Sequence, residues 1–237
     1  MVNFSLIYLG IFSLLISILS FFNIIYSYYF NLYLSLDSYL YSLVVSLLFS
    51  ILSFVKIKFR ITKDIDRFKV TIYQKILTVI MGYLILPIII SIPFYFSIYN
   101  ISFLDSYFEA ISGFTSTGFT IFDNIKHIDQ SLILWRSSSQ WIGGLYFLFS
   151  IILLIDIFDN NLKKSLSNFL SFNSHEVVKQ SFKIFIVYTG LTFIIFLILN
   201  FINIRSFDSF NLAMSLISSG GFLPVNNLSV ILNNELK

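Results

Sequence analysis

Residues 111–120 read ISGFTSTGFT, two glycines set among hydroxyl side chains in a chain otherwise rich in Phe, Ile, Leu, Ser and Tyr. Glycine leaves the backbone free to turn its carbonyls to one side. Ser116 and Thr117 add hydroxyl oxygens at the same level. A ring of such oxygens can replace the water around a dehydrating cation. The pattern returns downstream. At an offset of 103 residues, 100–120 falls on 203–223 without a gap, and nine of the 21 pairs are identical. Among them are Asp105/Asp208, Ser112/Ser215, Ser116/Ser219, Gly118/Gly221 and Phe119/Phe222. Glycine in an apolar chain also serves close helix packing. Two copies, each behind a half-length helix, favour the ion site.

The elements that must position these residues follow from composition and spacing. The chain has 237 residues, 57% hydrophobic and 11% charged, with a mean hydropathy of +0.87. A soluble domain carries about 25% charged residues, so this is a membrane protein. Without cysteine it has no disulfide or thiolate metal site, and a net charge of +3 gives no argument for nucleic acid. Apolar runs at about 6–30, 39–55, 76–99, 140–157 and 182–202 are long enough to span a core of ~30 Å. The first lacks a basic leader and a small-residue cleavage site, so it is a retained span rather than a signal peptide. Asp105 and Asp208 are expected to cap helices of about ten residues. These are too short to cross, and each would lead into a Gly-containing polar strand that returns to the same side. Such non-helical backbone survives at membrane depth only where protein or water satisfies it.

Charges orient the spans. Lys56, Lys58, Arg60, Lys63, Arg67, Lys69 and Lys75 lie between spans two and three; Lys163, Lys164, Lys179 and Lys183 lie between spans four and five or just inside the fifth. By the positive-inside rule these connections face the cytoplasm, and so does the N-terminus. The outer segments then carry the acids Asp37, Asp105, Glu109, Asp123, Asp129, Asp208 and Glu235, against the bases Lys126, Arg136, Arg205 and Lys237. That outer face either gathers cations or merely lacks the bases held inside.

FEAISGFTSTGF followed by LWRSSSQWIGG (134–144) resembles the first pore repeat of the Trk/Ktr/HKT potassium transporter superfamily, nearest the bacterial Trk branch. The resemblance implies an all-α polytopic membrane protein with potassium-channel-like M1–P–M2 repeats, re-entrant pore loops and an extra helix pair in front. It implies an extra pair at 1–60, a first repeat at 70–160 and a partial second repeat, M1 and pore loop only, at 180–237. It also implies potassium uptake through filters at Ser116, Thr117, Gly118, Phe119 and at Ser219, Gly220, Gly221, Phe222. A serine at the first key glycine goes with sodium preference in the plant branch, so Gly118 leans toward potassium. K+ is the transported ion, with no organic cofactor. Membrane lipid, a homodimer of the full-length form and a cytosolic nucleotide-binding regulatory subunit are the implied partners, in a bacterial cytoplasmic (inner) membrane. The basic 56–75 loop would touch that subunit or anionic lipid, lipid being favoured. The chain stops shortly past the second filter, so it is expected to be truncated. A fragment is the most economical account, ahead of a shortened gene or chains that complete the ring between them.

Other residues have competing readings. Arg136 either pairs with Glu109 or Asp105 at the pore mouth or snorkels to the interface. Trp135 and Trp141 are expected as outer-interface anchors. Gly143 and Gly144 are expected to let M2 pack on its pore helix, and Pro87 to kink M1. His127 and His175 lack partners at metal-ligand spacing. Asp156 and Asp159 sit at the inner end of M2, either solvated or drawing cations to the inner mouth. A non-conducting remnant or assembly subunit is the alternative function. An intramembrane enzyme is disfavoured, since the sequence holds no H-E-x-x-H and no intramembrane Asp pair.

Overall fold

The computed structural model describes residues 2–61, 72–158 and 174–227. Its α-helices are α1 (Val2–Tyr29), α2 (Leu36–Ile61), α3 (Ile72–Ile90), α4 (Ile92–Tyr95), α5 (Phe103–Phe114), α6 (Gln130–Phe158), α7 (Ser174–Phe201) and α8 (Ser206–Ile217). Five stretches are long and apolar enough to cross a membrane: Ser5–Tyr29, Tyr33–Val55, Ile72–Tyr95, Gln130–Leu154 and Phe182–Phe201. The short helices α5 and α8 have 12 residues each. At ~1.5 Å per residue they reach about halfway through a ~30 Å core. The chain is an all-α, multi-pass membrane protein. The polar segments expected as strands are irregular extended backbone, with no β-ladder among the described residues.

Lipid is as apolar as leucine, so helices in a bilayer associate through small residues and interhelical hydrogen bonds. The α1–α2 pair shows both. Ser13 Oγ donates to the Ser46 carbonyl at 2.8 Å, and Ser20 Oγ to Ser42 Oγ at 3.1 Å. A Cβ on Gly10 would lie 2.9 Å from Ser53 Cβ, so glycine sets that approach. Ser5 Oγ and Thr78 Oγ1, 2.7 Å apart, tie the pair to α3.

Helix α6 is the hub, packing against α1, α3, α5, α7 and α8. It begins ten residues before the expected 140, because its polar first turns face protein rather than lipid. Leu132 through Tyr146 are buried without interruption. Trp135 and Trp141 are therefore core residues, not interface anchors. The Trp135 indole donates to the Ile90 carbonyl at 3.0 Å, and Trp141 to Thr192 Oγ1 at 3.0 Å. Pro87 sits inside α3, which runs on to Ile90 and breaks at Ser91. Pro93, at the start of α4, has no N–H to continue the ladder. Trp135 satisfies the carbonyl of Ile90, the last residue of α3 before that break.

The helix caps differ from expectation. Ser102, not Asp105, is the N-cap of α5, its hydroxyl accepting from the Asp105 N–H at 3.2 Å and donating to Asp105 Oδ2 at 2.6 Å. Asp105 therefore stands in the first turn, where a carboxylate still suits the helix dipole. Arg205 occupies the N-cap of α8 without a side-chain hydrogen bond, and Asp208 takes the equivalent first-turn place. Lys63, Arg67, Lys69, Asp159, Lys163, Lys164, Glu235 and Lys237 lie outside the described residues, as do the side chains of Lys56, Lys58, Arg60, Asp156, His175 and Lys179.

Candidate functional site

The two short helices end in the same turn. Thr115 N–H bonds the Ile111 carbonyl at 2.8 Å and Ser218 N–H the Met214 carbonyl at 3.4 Å. Ser116 N–H reaches Gly113 O at 2.9 Å as Ser219 N–H reaches Leu216 O at 3.1 Å. Thr117 and Gly220 N–H groups then bond Ser112 O and Ser215 O at 3.0 and 2.8 Å. Ser116 and Ser219 both adopt left-handed backbone, with φ of 57° and 53°. So do Asn100 and Asn203 ahead of the helices, with φ of 49° and 66°. The 103-residue repeat is thus a repeat of backbone conformation as well as of sequence.

Beyond this turn the two extended segments meet. A Cβ on Gly221 would lie 2.9 Å from Gly118 Cα, and one on Gly118 would run into Gly221 Cα and lie 2.8 Å from its nitrogen. Gly118 also has φ +77°, which side chains rarely adopt. At the turns that lead into these glycines lies a cavity of about 390 Å³ lined by Thr115, Ser116, Ser218 and Ser219, with Tyr83, Phe147 and Tyr188 among its walls. The C-terminal ends of α5 and α8 both border it, and the negative end of a helix dipole favours a cation there.

A buried polar strut stands behind the first segment. Arg136 Nε donates to Glu109 Oε1 at 2.8 Å, with side chains 1% and 0% exposed. Arg136 is therefore neither an interfacial arginine nor a partner of Asp105, which is exposed and bonded to Ser102. Glu109 also accepts from Thr120 Oγ1 at 3.0 Å and from the Ile121 N–H at 2.9 Å. Arg136 Nη2 donates to Thr120 Oγ1 at 3.0 Å. The pair joins α5, α6 and the chain just past Phe119. The guanidinium carbon stands 4.2 Å from the Phe222 ring centroid, within cation–π range. Phe222 is 1% exposed, whereas Phe119, its repeat counterpart, is 70% exposed.

Gln140 was legible in the sequence only as one letter of a motif. It is fully buried on α6. With its amide oriented to satisfy its neighbours, its carbonyl accepts from the N–H groups of Gly221 at 2.9 Å and Phe222 at 2.8 Å, and its NH2 donates to Ser215 Oγ at 3.1 Å. Ser215 Oγ in turn donates to the Gly220 carbonyl at 3.1 Å. Gly143 packs under the end of α5, where a Cβ would meet the Phe114 backbone. Gly144 faces elsewhere, toward Tyr188 and Ser218, joining α6 to α7 and the end of α8. Past the segments, Asn226 accepts from the Ile125 N–H at 2.8 Å and donates to Asn124 Oδ1 at 3.0 Å, which ties the two outgoing loops together.

Comparison with known proteins places this geometry. The family profile of TrkH, described as a cation transport protein, matches residues 46–227. An uncharacterized cation transporter of Methanocaldococcus jannaschii is 30% identical over 168 residues, 66% of this chain and 33% of its own length. The Trk system potassium uptake protein TrkG of Escherichia coli is 32% identical over 68 residues, 28% of this chain and 14% of its own. TrkH of Salmonella typhimurium is 25% identical over 153 residues, 62% of this chain and 32% of its own. The crystal structure of the potassium transporter TrkH from Vibrio parahaemolyticus matches 98% of this chain and 48% of that one, with a TM-score of 0.71 and 18% identity, a likeness of fold. The chain spans about a third of the length of the curated relatives matched over most of it, and about half that of the solved structure.

Proposed function

Since the chain belongs to the TrkH family of cation transport proteins, whose potassium-channel-like fold it shares, we propose that it contributes two of the pore segments of a potassium uptake pathway. The observation that carries this reading is the meeting of Gly118 and Gly221 just past two turns that line one cavity, bordered by the C-terminal ends of two half-length helices. Ser116, Thr117, Gly118 and Phe119, with Ser219, Gly220, Gly221 and Phe222, are the filter residues. Their carbonyls and hydroxyls take over a potassium ion's hydration. Helix dipoles hold the ion electrostatically below them. Glu109 and Arg136 support the pore mouth by fixing the chain at Thr120 and Ile121. Asp105 stays outside that network and adds negative charge at the entrance.

Residues 1–60 form the leading helix pair, 70–160 the first M1–P–M2 repeat, and 180–237 the M1 and pore loop of a second. The N-terminus and the basic connections face the cytoplasm of a bacterial inner membrane, a reading that the distribution of lysine and arginine supports. The full-length form is a homodimer that meets a cytosolic nucleotide-binding subunit, with anionic lipid against the 56–75 loop.

Expression of the full-length gene product in a bacterium lacking potassium uptake should restore growth at low potassium. Cysteines placed at Lys63 and Lys164 should escape an impermeant reagent added from outside. Labelling there would reverse the topology. Failure to rescue, with the protein present in the membrane, would favour the reading as a non-conducting assembly subunit.

A further inference from the structure

Gly118 and Gly221 hold the same place in the repeat, yet only Gly118 lies in left-handed backbone. The two segments differ in what grips the amides of this glycine and of the phenylalanine after it. Gln140 reaches from α6 to both N–H groups of the second segment, and is itself anchored by Ser215. A Cβ at Gly220 would run into the Gln140 amide group, so the side chain lies directly against that backbone.

We infer that Gln140 is the positioning residue of the second filter segment, a clamp from the first repeat that fixes which way the Gly221 carbonyl points. In a trans peptide the N–H and the preceding C=O lie on opposite edges of one plane, and the described residues hold no cis bond. Holding the Phe222 N–H at 2.8 Å therefore directs the Gly221 carbonyl away from α6. The Gly220 carbonyl is held separately by Ser215 Oγ, so of these two oxygens the Gly221 one is turned free toward an ion. Glycine has little intrinsic resistance to rotation of its peptide, so the clamp supplies the restraint. This inference rests on the filter reading for its consequence in transport, but the clamp itself is testable without it.

The experiment uses the full-length gene product in lipid nanodiscs, with two measurements. One is amide hydrogen exchange of the peptide spanning 218–223. The other is rubidium uptake into proteoliposomes with competing sodium. Gln140→Leu should speed exchange at Gly221 and Phe222 on the order of tenfold, the equivalent of one lost buried hydrogen bond. It should lower by a similar factor the sodium concentration that halves rubidium uptake. Gln140→Glu, which keeps an acceptor oxygen in place, should restore most of both. If Gln140→Leu is folded and exchange at Gly221 and Phe222 is unmoved, the clamp does not exist and the inference falls. If exchange speeds but the sodium curve stays put while Gly118→Ser moves it, the clamp holds the backbone without setting selectivity, and the inference again fails. If neither Gly118→Ser nor Gln140→Leu shifts the sodium curve, the filter reading fails, and the exchange data alone decide the clamp. Should Gln140→Leu fail to accumulate, the pair Gln140→Glu and Gln140→Met supplies the same contrast of acceptor kept and acceptor lost.

Discussion

The glycine-bearing segments of the two sequence repeats turn on the same hydrogen bonds and carry left-handed serines at the same register, Ser116 and Ser219. Their supports differ. In the first, Glu109 on α5 meets Arg136; in the second, the equivalent position on α8 is Leu212, buried in an apolar cluster. In the first, Phe119 stands exposed; in the second, Phe222 is covered by the Arg136 guanidinium, and its N–H is held by Gln140. Local sequence is enough to make the turn twice. Arg136 and Gln140 both come from α6, so the second segment leans on the first repeat as well as on its own helix, where Ser215 holds Gly220.

The largest effect expected from breaking this comparison comes from writing the second repeat's residue into the first. Glu109→Leu strands Arg136 in a dry site and should cost about 3–5 kcal/mol, seen as loss of folded protein in a denaturant titration in detergent micelles. Adding Arg136→Met should recover a substantial part, because the isolated charge and not the missing pair is the main penalty. A double variant as unstable as the single would show that Glu109 acts mainly through Thr120 and Ile121.

A second contrast sets Gly143 against Gly190. A methyl at Gly143 meets the Phe114 backbone, which has nowhere flexible to go, whereas nothing stands within 4 Å of a Cβ at Gly190. Gly143→Ala should cost about 1–3 kcal/mol of overpacking. Gly190→Ala should be neutral or gain a few tenths of a kcal/mol, as roughly expected for glycine replaced in a helix. Equal midpoints for the two variants would refute the packing of α6 on α5.

Between the paired glycines, Gly118→Ala should be the more harmful. It meets Gly221 and also imposes left-handed backbone on a side chain, an extra cost of roughly 1–2 kcal/mol. Gly221→Ala meets only the first of these penalties. Reversal of that order in thermal unfolding would mean that the two segments hold each other differently. The smallest effect tests what the repeats share. Ser116→Gly and Ser219→Gly should shift stability in the same direction, each by about 1 kcal/mol or less, through relief of left-handed strain offset by chain entropy.

Much of this arrangement could be read from residues. The five spans follow from apolar length, and the repeat from nine matched pairs. The fourth span was placed late because Arg136, Ser137, Ser138, Ser139 and Gln140 depress hydropathy. Burial against other helices, which no window of sequence registers, is what admits them to the membrane. The same burial turned Trp135 and Trp141 from interface anchors into core donors. Asp105 has the residue type of a cap, but so does Ser102 three residues earlier, and the Ser102 hydroxyl is the one that reaches the Asp105 N–H. Helix phase does not choose Glu109 over Asp105 as the partner of Arg136, since four residues apart they share one face of α5; what separates them is depth, Asp105 standing exposed in the first turn beside Ser102 and Glu109 lying buried one turn further in. Gln140 could not be read, because its partners lie 81 and 82 residues away and meet it only when the two repeats dock.

The central claim is that Gly118 belongs to a filter and is not a packing device. Rubidium uptake by the full-length gene product, measured against rising sodium and normalised to protein in the membrane, tests it most directly for Gly118→Ser beside Gly190→Ala. The account predicts that sodium inhibits the Gly118→Ser protein at concentrations about tenfold lower, the equivalent of roughly 1.4 kcal/mol of lost discrimination, while Gly190→Ala follows the parent curve. A Gly118→Ser protein that reaches the membrane, transports rubidium and shows an unmoved sodium curve would contradict it.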